Sequence, residues 1–178
     1  MGKLYLGTLG PGHIEDIRVW RNAQKSILRQ SNNLTKNQQI EYFKLEVFSQ
    51  LECKYPKQIL FTVEWDREFV GYAGLVHIDW AVRKSEVSFL LNPVIGEEDS
   101  LFKEIFDQYV KIIEQVAFTK LNIHRLSTET YSFRKSVIAI LEQNNFRKEG
   151  TLKDSCIVEG IYFDSLIHSK ISSTIPES

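Results

Sequence analysis

The sequence predicts an α+β fold, with a mixed, mostly antiparallel central sheet flanked by helices. Three observations predict it. Period-two apolar alternation recurs in short runs such as QILFTVEW and SEVSFLL. A helical period dominates SLFKEIFDQYVKIIEQVAF. The element order is β, α, α, three strands, α, β, α, β, β, so consecutive strands can pair as hairpins while helices cover the sheet.

The elements follow in order. KLYLGTL alternates as a strand, and Gly10-Pro11-Gly12 ends it. HIEDIRVWRN carries Ile14, Ile17 and Val19 with early acids, a helix pattern. Thr35 and Gln38 form a capping box before a second helix, whose apolar face is expected at Ile40, Phe43, Val47 and Leu51. QILFTVEW is a strand with Ile59, Phe61, Val63 and Trp65 on one side, and Asp66-Arg67-Glu68 is a turn. FVGYAGLVHI returns, and its Gly71 and Gly74 predict a bend or a close backbone approach. SEVSFLLNP is a third strand. The next helix has its apolar face at Leu101, Phe102, Ile105, Phe106, Tyr109, Ile112, Ile113 and Val116, with Asp99 or Ser100 as N-cap. IHRLSTETY is an unusually polar strand. FRKSVIAILEQNNF holds a short helix ended by Asn144 or Asn145 in the left-handed conformation. Two strands around Glu159-Gly160 close the chain. One domain is expected over residues 1–171, with a flexible tail at 172–178.

The 178 residues carry 22 Lys plus Arg against 23 Asp plus Glu, a formal net charge of −1. A general nucleic-acid or membrane-surface binder would carry a basic excess, so neither partner is expected. No apolar run is long enough to span a bilayer, and Cys53 and Cys156 lack metal-ligand spacing. A reducing, cytoplasmic protein without a metal is expected.

HRLSTETYSFRKSVIAILEQNNFRKEGTLKD, followed by Gly160 and Asp164, resembles the GNAT acyltransferase superfamily. The matching residues are His124, Arg125, Leu141, Glu142, Phe146, Glu149, Gly150, Lys153, Asp154, Gly160 and Asp164. This pattern is similar to the branch of ribosomal-protein N-terminal acetyltransferases. IRVWRNAQ, LTKNQQIEYF and VGYAGLVHIDW are similar to a subset of that branch that acetylates nucleotide-linked amino sugars for surface polysaccharides. The resemblance covers roughly residues 3–171.

It implies acetyl-CoA as acyl donor and a small-molecule primary amine as acceptor, here a nucleotide-linked amino sugar. A protein N-terminus, or CoA binding without catalysis, is the alternative. A monomer or homodimer is expected. The backbone of Phe89, Leu90 and Leu91 would face the pantetheine. The loop NPVIGEEDS departs from the family's pyrophosphate loop: Ile95 replaces an Arg or Gln, Gly96 is kept, and Glu97, Glu98 and Asp99 add negative charge. Such acids favour a helix start through the macrodipole but repel a diphosphate. Either backbone N–H groups from Gly96 to Ser100 still face the pyrophosphate with Glu97 and Glu98 turned to water, or Arg134 takes over its charge. Leu141 stands where many acetyltransferases have a thiolate-protonating Tyr. The acid and base are therefore sought on polar strand faces, where burial raises a carboxyl pKa. Glu86 is the expected base, or else a partner of Arg125 or Lys84. Tyr131 is the expected acid, and His77 is a second candidate. Trp20, Arg21 and Asn22 would meet the acceptor, Trp by stacking and Arg by holding a phosphate.

Overall fold

Alternating strands and positive-φ turns build the N-terminal half. The computed structural model describes residues 2–28 and 30–173, so positions 174–178 of the expected tail lie outside the described residues. Strand β1 (Leu4–Thr8) pairs antiparallel with β2 (Ile59–Trp65), Leu6 opposite Val63. Asp66 (φ 51°) and Arg67 (φ 77°) turn the chain into β3 (Glu68–Asp79), a two-residue hairpin turn of the primed type. β4 (Lys84–Leu91) then pairs parallel with β5 (Arg125–Tyr131). β6 (Arg147–Val158) and β7 (Ile161–Ile171) form a hairpin over Glu159 (φ 51°) and Gly160 (φ 81°). Hydrogen bonding links the seven strands in the order β1-β2-β3-β4-β5-β7-β6, a mixed sheet flanked by helices as expected.

Backbone contacts divide the chain into two compact units, Met1–Val76 with Ser88–Ile95, and His77–Val87 with Gly96–Ser178. In the first unit, helix α1 (Ile14–Ala23) buries Ile14, Ile17 and Trp20. Helix α2 (Lys36–Tyr42) starts on the expected capping box: Thr35 Oγ1 accepts from Gln38 N–H at 3.3 Å and Gln38 Oε1 accepts from Thr35 N–H at 2.9 Å. Its inner face differs from the expected one. Phe43 and Val47 are buried, but Ile40 is 42% and Leu51 68% exposed, and Gln39 is buried instead. The cause is a π-helical turn at Phe43–Val47 followed by a 3₁₀ turn at Phe48–Gln50, which breaks the 3.6 phase.

Gly71 and Gly74 are close-approach positions. A Cβ on Gly71 would meet Leu90 O at 2.4 Å, and one on Gly74 would meet Ile59 O at 2.0 Å. In the second unit, helix α3 (Ser100–Gln115) buries Phe102, Ile105, Phe106, Tyr109, Val110 and Ile113, with Asp99 as N-cap. Leu101 falls outside that face and is exposed, while Ile112 and Val116 sit half-buried at its edge. Helix α4 (Lys135–Gln143) ends at Asn144, and Asn145 takes the left-handed conformation with φ 63°. Arg125 donates through both terminal nitrogens to Glu149, and Ser169 Oγ donates to the same carboxylate at 2.5 Å. The Arg125 guanidinium first, then the Ser169 hydroxyl, hold the Glu149 carboxyl down to about 2 from 4.5.

Gly71→Ala forces its methyl into backbone and lowers unfolding free energy by about 1–3 kcal/mol in urea titrations. Because the Glu149 pKa is depressed on folding, its contribution is complete above about 4.5 and fades as pH falls toward about 2. Urea midpoints of wild type and Glu149→Gln therefore differ most at neutral pH and converge toward pH 2.

Candidate active site

In the first unit, the end of α1 is tied into a polar network. Trp20 is buried, with its ring 4.9 Å from that of Phe69. The indole thus packs in the core rather than standing open. Arg21 Nη1 donates to Tyr72 Oη at 2.8 Å, and its Nε donates to Gln30 Oε1 at 3.2 Å. Asn22 Oδ1 accepts from Leu34 N–H at 2.8 Å and from Gln30 Nε2 at 2.9 Å, while its Nδ2 donates to Leu34 O at 3.0 Å. Asn22 therefore clamps the loop after α1. Tyr72 is buried, which pushes its phenol pKa up; the Arg21 guanidinium opposes that shift. A bond between a guanidinium and a phenol contributes about 1.5–3 kcal/mol and fixes the direction of the charge.

The upper part of β4 belongs to the same unit. Leu90 and Leu91 are buried, and Phe89 is half-buried. Leu90 O lies against Gly71, and Leu91 O accepts from Gln24 Nε2 at 2.7 Å. The Leu91 carbonyl thus carries a side-chain amide from the residue that ends α1.

In the second unit, the parallel ladder runs only from Lys84–Arg125 to Glu86–Ser127. From Thr128 to Tyr131, β5 continues in register with β7, His168 to Ser165. Glu86 therefore sits on the last parallel rung, half-buried beside Ser127. Leu126, Thr128 and Thr130 are buried on one face of β5, which leaves Ser127, Glu129 and Tyr131 half-buried on the other. Glu86 faces the same way as its neighbour Ser127, so one sheet face carries Glu86, Ser127, Glu129 and Tyr131. About 13 Å of strand separates the Ser127 and Tyr131 positions, and Glu129 stands midway. Tyr131 lies 5.7 Å from the Phe133 ring. Arg125, the alternative partner for Glu86, pairs with Glu149. His77 is apart from this row: it is exposed at a left-handed backbone position, φ 52°. Leu141 is buried at 1% exposure and serves the core.

At Glu97 the acidic loop departs from the first of the two expected arrangements. Glu97 does not turn to water: its Oε2 accepts from Arg134 Nε at 2.8 Å, with the side chains 24% and 16% exposed. Glu98 accepts from Ser136 Oγ at 2.9 Å and from Lys103 Nζ at 3.2 Å; the Ser136 hydroxyl first, then Lys103, lower its pKa. Asp99 Oδ2 accepts from Gly96 N–H at 2.8 Å. Ser100 opens α3 and is exposed. The acids are satisfied by the start of α4 and by the loop itself.

Sequence reasoning passed over Tyr72 and Ser127. Tyr72 had a signal, a phenol between the two close-approach glycines of an apolar strand, where a buried hydroxyl needs a partner. Ser127 had none, because only the register puts it beside Glu86. Among the described residues, no helix is long and apolar enough to cross a membrane, and no group of three or more His, Cys, Asp or Glu is placed to hold a metal.

Comparison with known proteins places this geometry in a family. A model described as an acetyltransferase (GNAT) domain matches residues 12–167. No curated protein matches the chain. Among solved structures, spermidine N-acetyltransferase from Vibrio cholerae, in complex with CoA and spermine, superposes with a TM-score of 0.80 at 18% identity over 96% of each chain. A dodecameric structure of spermidine N-acetyltransferase from Vibrio cholerae in an intermediate state gives 0.74 at 18% identity, over 94% of this chain and 93% of that one. At such identity the likeness carries the fold. With its family model spanning most of the sequence, the chain belongs to the GNAT family: it is an N-acetyltransferase that takes its acyl group from acetyl-CoA.

Proposed function

We propose that the acceptor is a primary amine on a molecule that also carries an anionic group, and that a nucleotide-linked amino sugar is the class it fits. The Arg21 guanidinium carries this reading: Tyr72 and Gln30 fix its orientation at the end of α1. A fixed guanidinium holds a phosphate or carboxylate and repels a polycation. Trp20 packs in the core against Phe69, and Asn22 holds the loop that follows α1.

A primary amine is protonated at neutral pH and cannot attack until a base takes its proton. Glu86 takes that proton, directly or through water, and Glu129 extends the same row of acceptors. The amine nitrogen then attacks the thioester carbonyl, and the tetrahedral intermediate collapses with loss of the C–S bond. The thiolate leaves and takes a proton from Tyr131, while the nitrogen gives up its second proton, which returns through water to the tyrosinate, giving the amide and free CoA thiol. His77, exposed and outside the Glu86 row, is a second candidate for proton transfer. On the donor side, the backbone of Phe89, Leu90 and Leu91 faces the pantetheine. Gly96, Ser100 and Arg134 face the diphosphate, at the N-terminus of α3.

A second reading, a polyamine acceptor, is favoured by the spermine-bound neighbour. Release of CoA thiol separates the two readings when UDP- and dTDP-amino sugars are compared with spermidine, spermine and peptides. The expected result is turnover of a phosphate-bearing amino sugar. Turnover of polyamines alone would overturn the acceptor assignment. With the preferred acceptor, Arg21→Gln raises KM about tenfold and leaves kcat nearly unchanged. Glu86→Gln lowers kcat by roughly 10²–10⁴ near neutrality. Unchanged kcat in that variant would remove Glu86 from the base role.

A further inference from the structure

The three acids before α3 each hold a group that an anion would use. A guanidinium, a hydroxyl and a backbone N–H are common ligands of phosphate oxygens. Here Arg134 Nε carries Glu97, Ser136 Oγ carries Glu98, and Gly96 N–H carries Asp99, at 2.8, 2.9 and 2.8 Å. Carboxylate oxygens already occupy all three.

We infer that Glu97 sets the affinity of the donor site by competing with the donor's phosphates for Arg134. This rests on the reading above, in which the acetyl-CoA diphosphate lies at Gly96, Ser100 and Arg134. Glu97 is singled out because its pair is the most enclosed of the three. The Glu98 side chain is 77% exposed, also leans on Lys103, and can move into water at little cost. Asp99 engages one amide of its own loop. Glu97 is only 24% exposed and faces a guanidinium that is 16% exposed. An incoming diphosphate must expel this carboxylate or bind beside it against like-charge repulsion. Either route weakens donor binding, and either depends on the negative charge of Glu97. The effect falls on the phosphates alone, because pantetheine has none.

Calorimetric titration of CoA, and of pantetheine as a phosphate-free control, tests the inference on wild type, Glu97→Gln, Glu97→Asp and Arg134→Gln. Glu97→Gln is expected to tighten CoA binding about tenfold and leave pantetheine unchanged. Glu97→Asp keeps the charge but reaches less far, so it tightens CoA by less. Arg134→Gln weakens CoA, and adding Glu97→Gln to it recovers less than the same change does in wild type. Weaker or unchanged CoA binding by a folded Glu97→Gln or Glu97→Asp protein overturns the inference, because Glu97 would then be ordering Arg134 for the donor. That outcome leaves the acetyltransferase reading intact if wild type still turns over acetyl-CoA. Binding of CoA by no variant, wild type included, overturns the assigned donor site and the inference together.

Discussion

Three parallel rungs, Lys84–Glu86 against Arg125–Ser127, are the constraint on which the second unit depends. Parallel strands cannot be joined by a tight turn and require a crossover connection. The crossover here contains the acidic loop and helix α3, so the loop's position is set by strand direction before its charges matter. The same ladder is short. It stops at Glu86, and β5 carries on in register with β7. A carboxylate on the last rung is half-buried, with a polar row of Ser127, Glu129 and Tyr131 running away from it. In the proposed mechanism that row offers separate groups for the proton taken from the amine and the proton given to the thiolate.

Charge placement differs between the two units. At the end of α1 a guanidinium is fixed by two neutral partners, Tyr72 and Gln30. At the start of α4 a second guanidinium is fixed by a carboxylate, so its charge is largely spent within the protein. Both arginines are half-buried and both are oriented, yet they offer different fields to an anion. Asp99 is the N-cap residue of α3, and negative charge just before a helix favours its start.

Much of the fold was legible because local chemistry decides it. The phenylalanines of α3 fall on one face at helical spacing, the Thr35–Gln38 box starts α2, and Glu159-Gly160 turns the last hairpin. The face of α2 was misread because a π-helical turn, which no periodic pattern announces, puts Gln39 inside and Ile40 outside. In the site, Glu86 and Tyr131 could be placed on polar strand faces from alternation alone. The partners could not. Glu97 meets Arg134 across 37 positions, Arg21 meets Tyr72 across 51, and Arg125 meets Glu149 across 24. Sequence patterns carry periodicity and capping, whereas such pairs are set by how elements pack.

A donor phosphate site at the acidic loop and Arg134 has to form in spite of their mutual pairing. A crystal structure of the protein soaked with acetyl-CoA tests it most directly. The diphosphate is expected within hydrogen-bonding distance of Arg134 and of the Gly96 N–H, with Glu97 displaced from the guanidinium. A bound acetyl-CoA whose diphosphate lies elsewhere, with the Glu97–Arg134 pair intact, would contradict it.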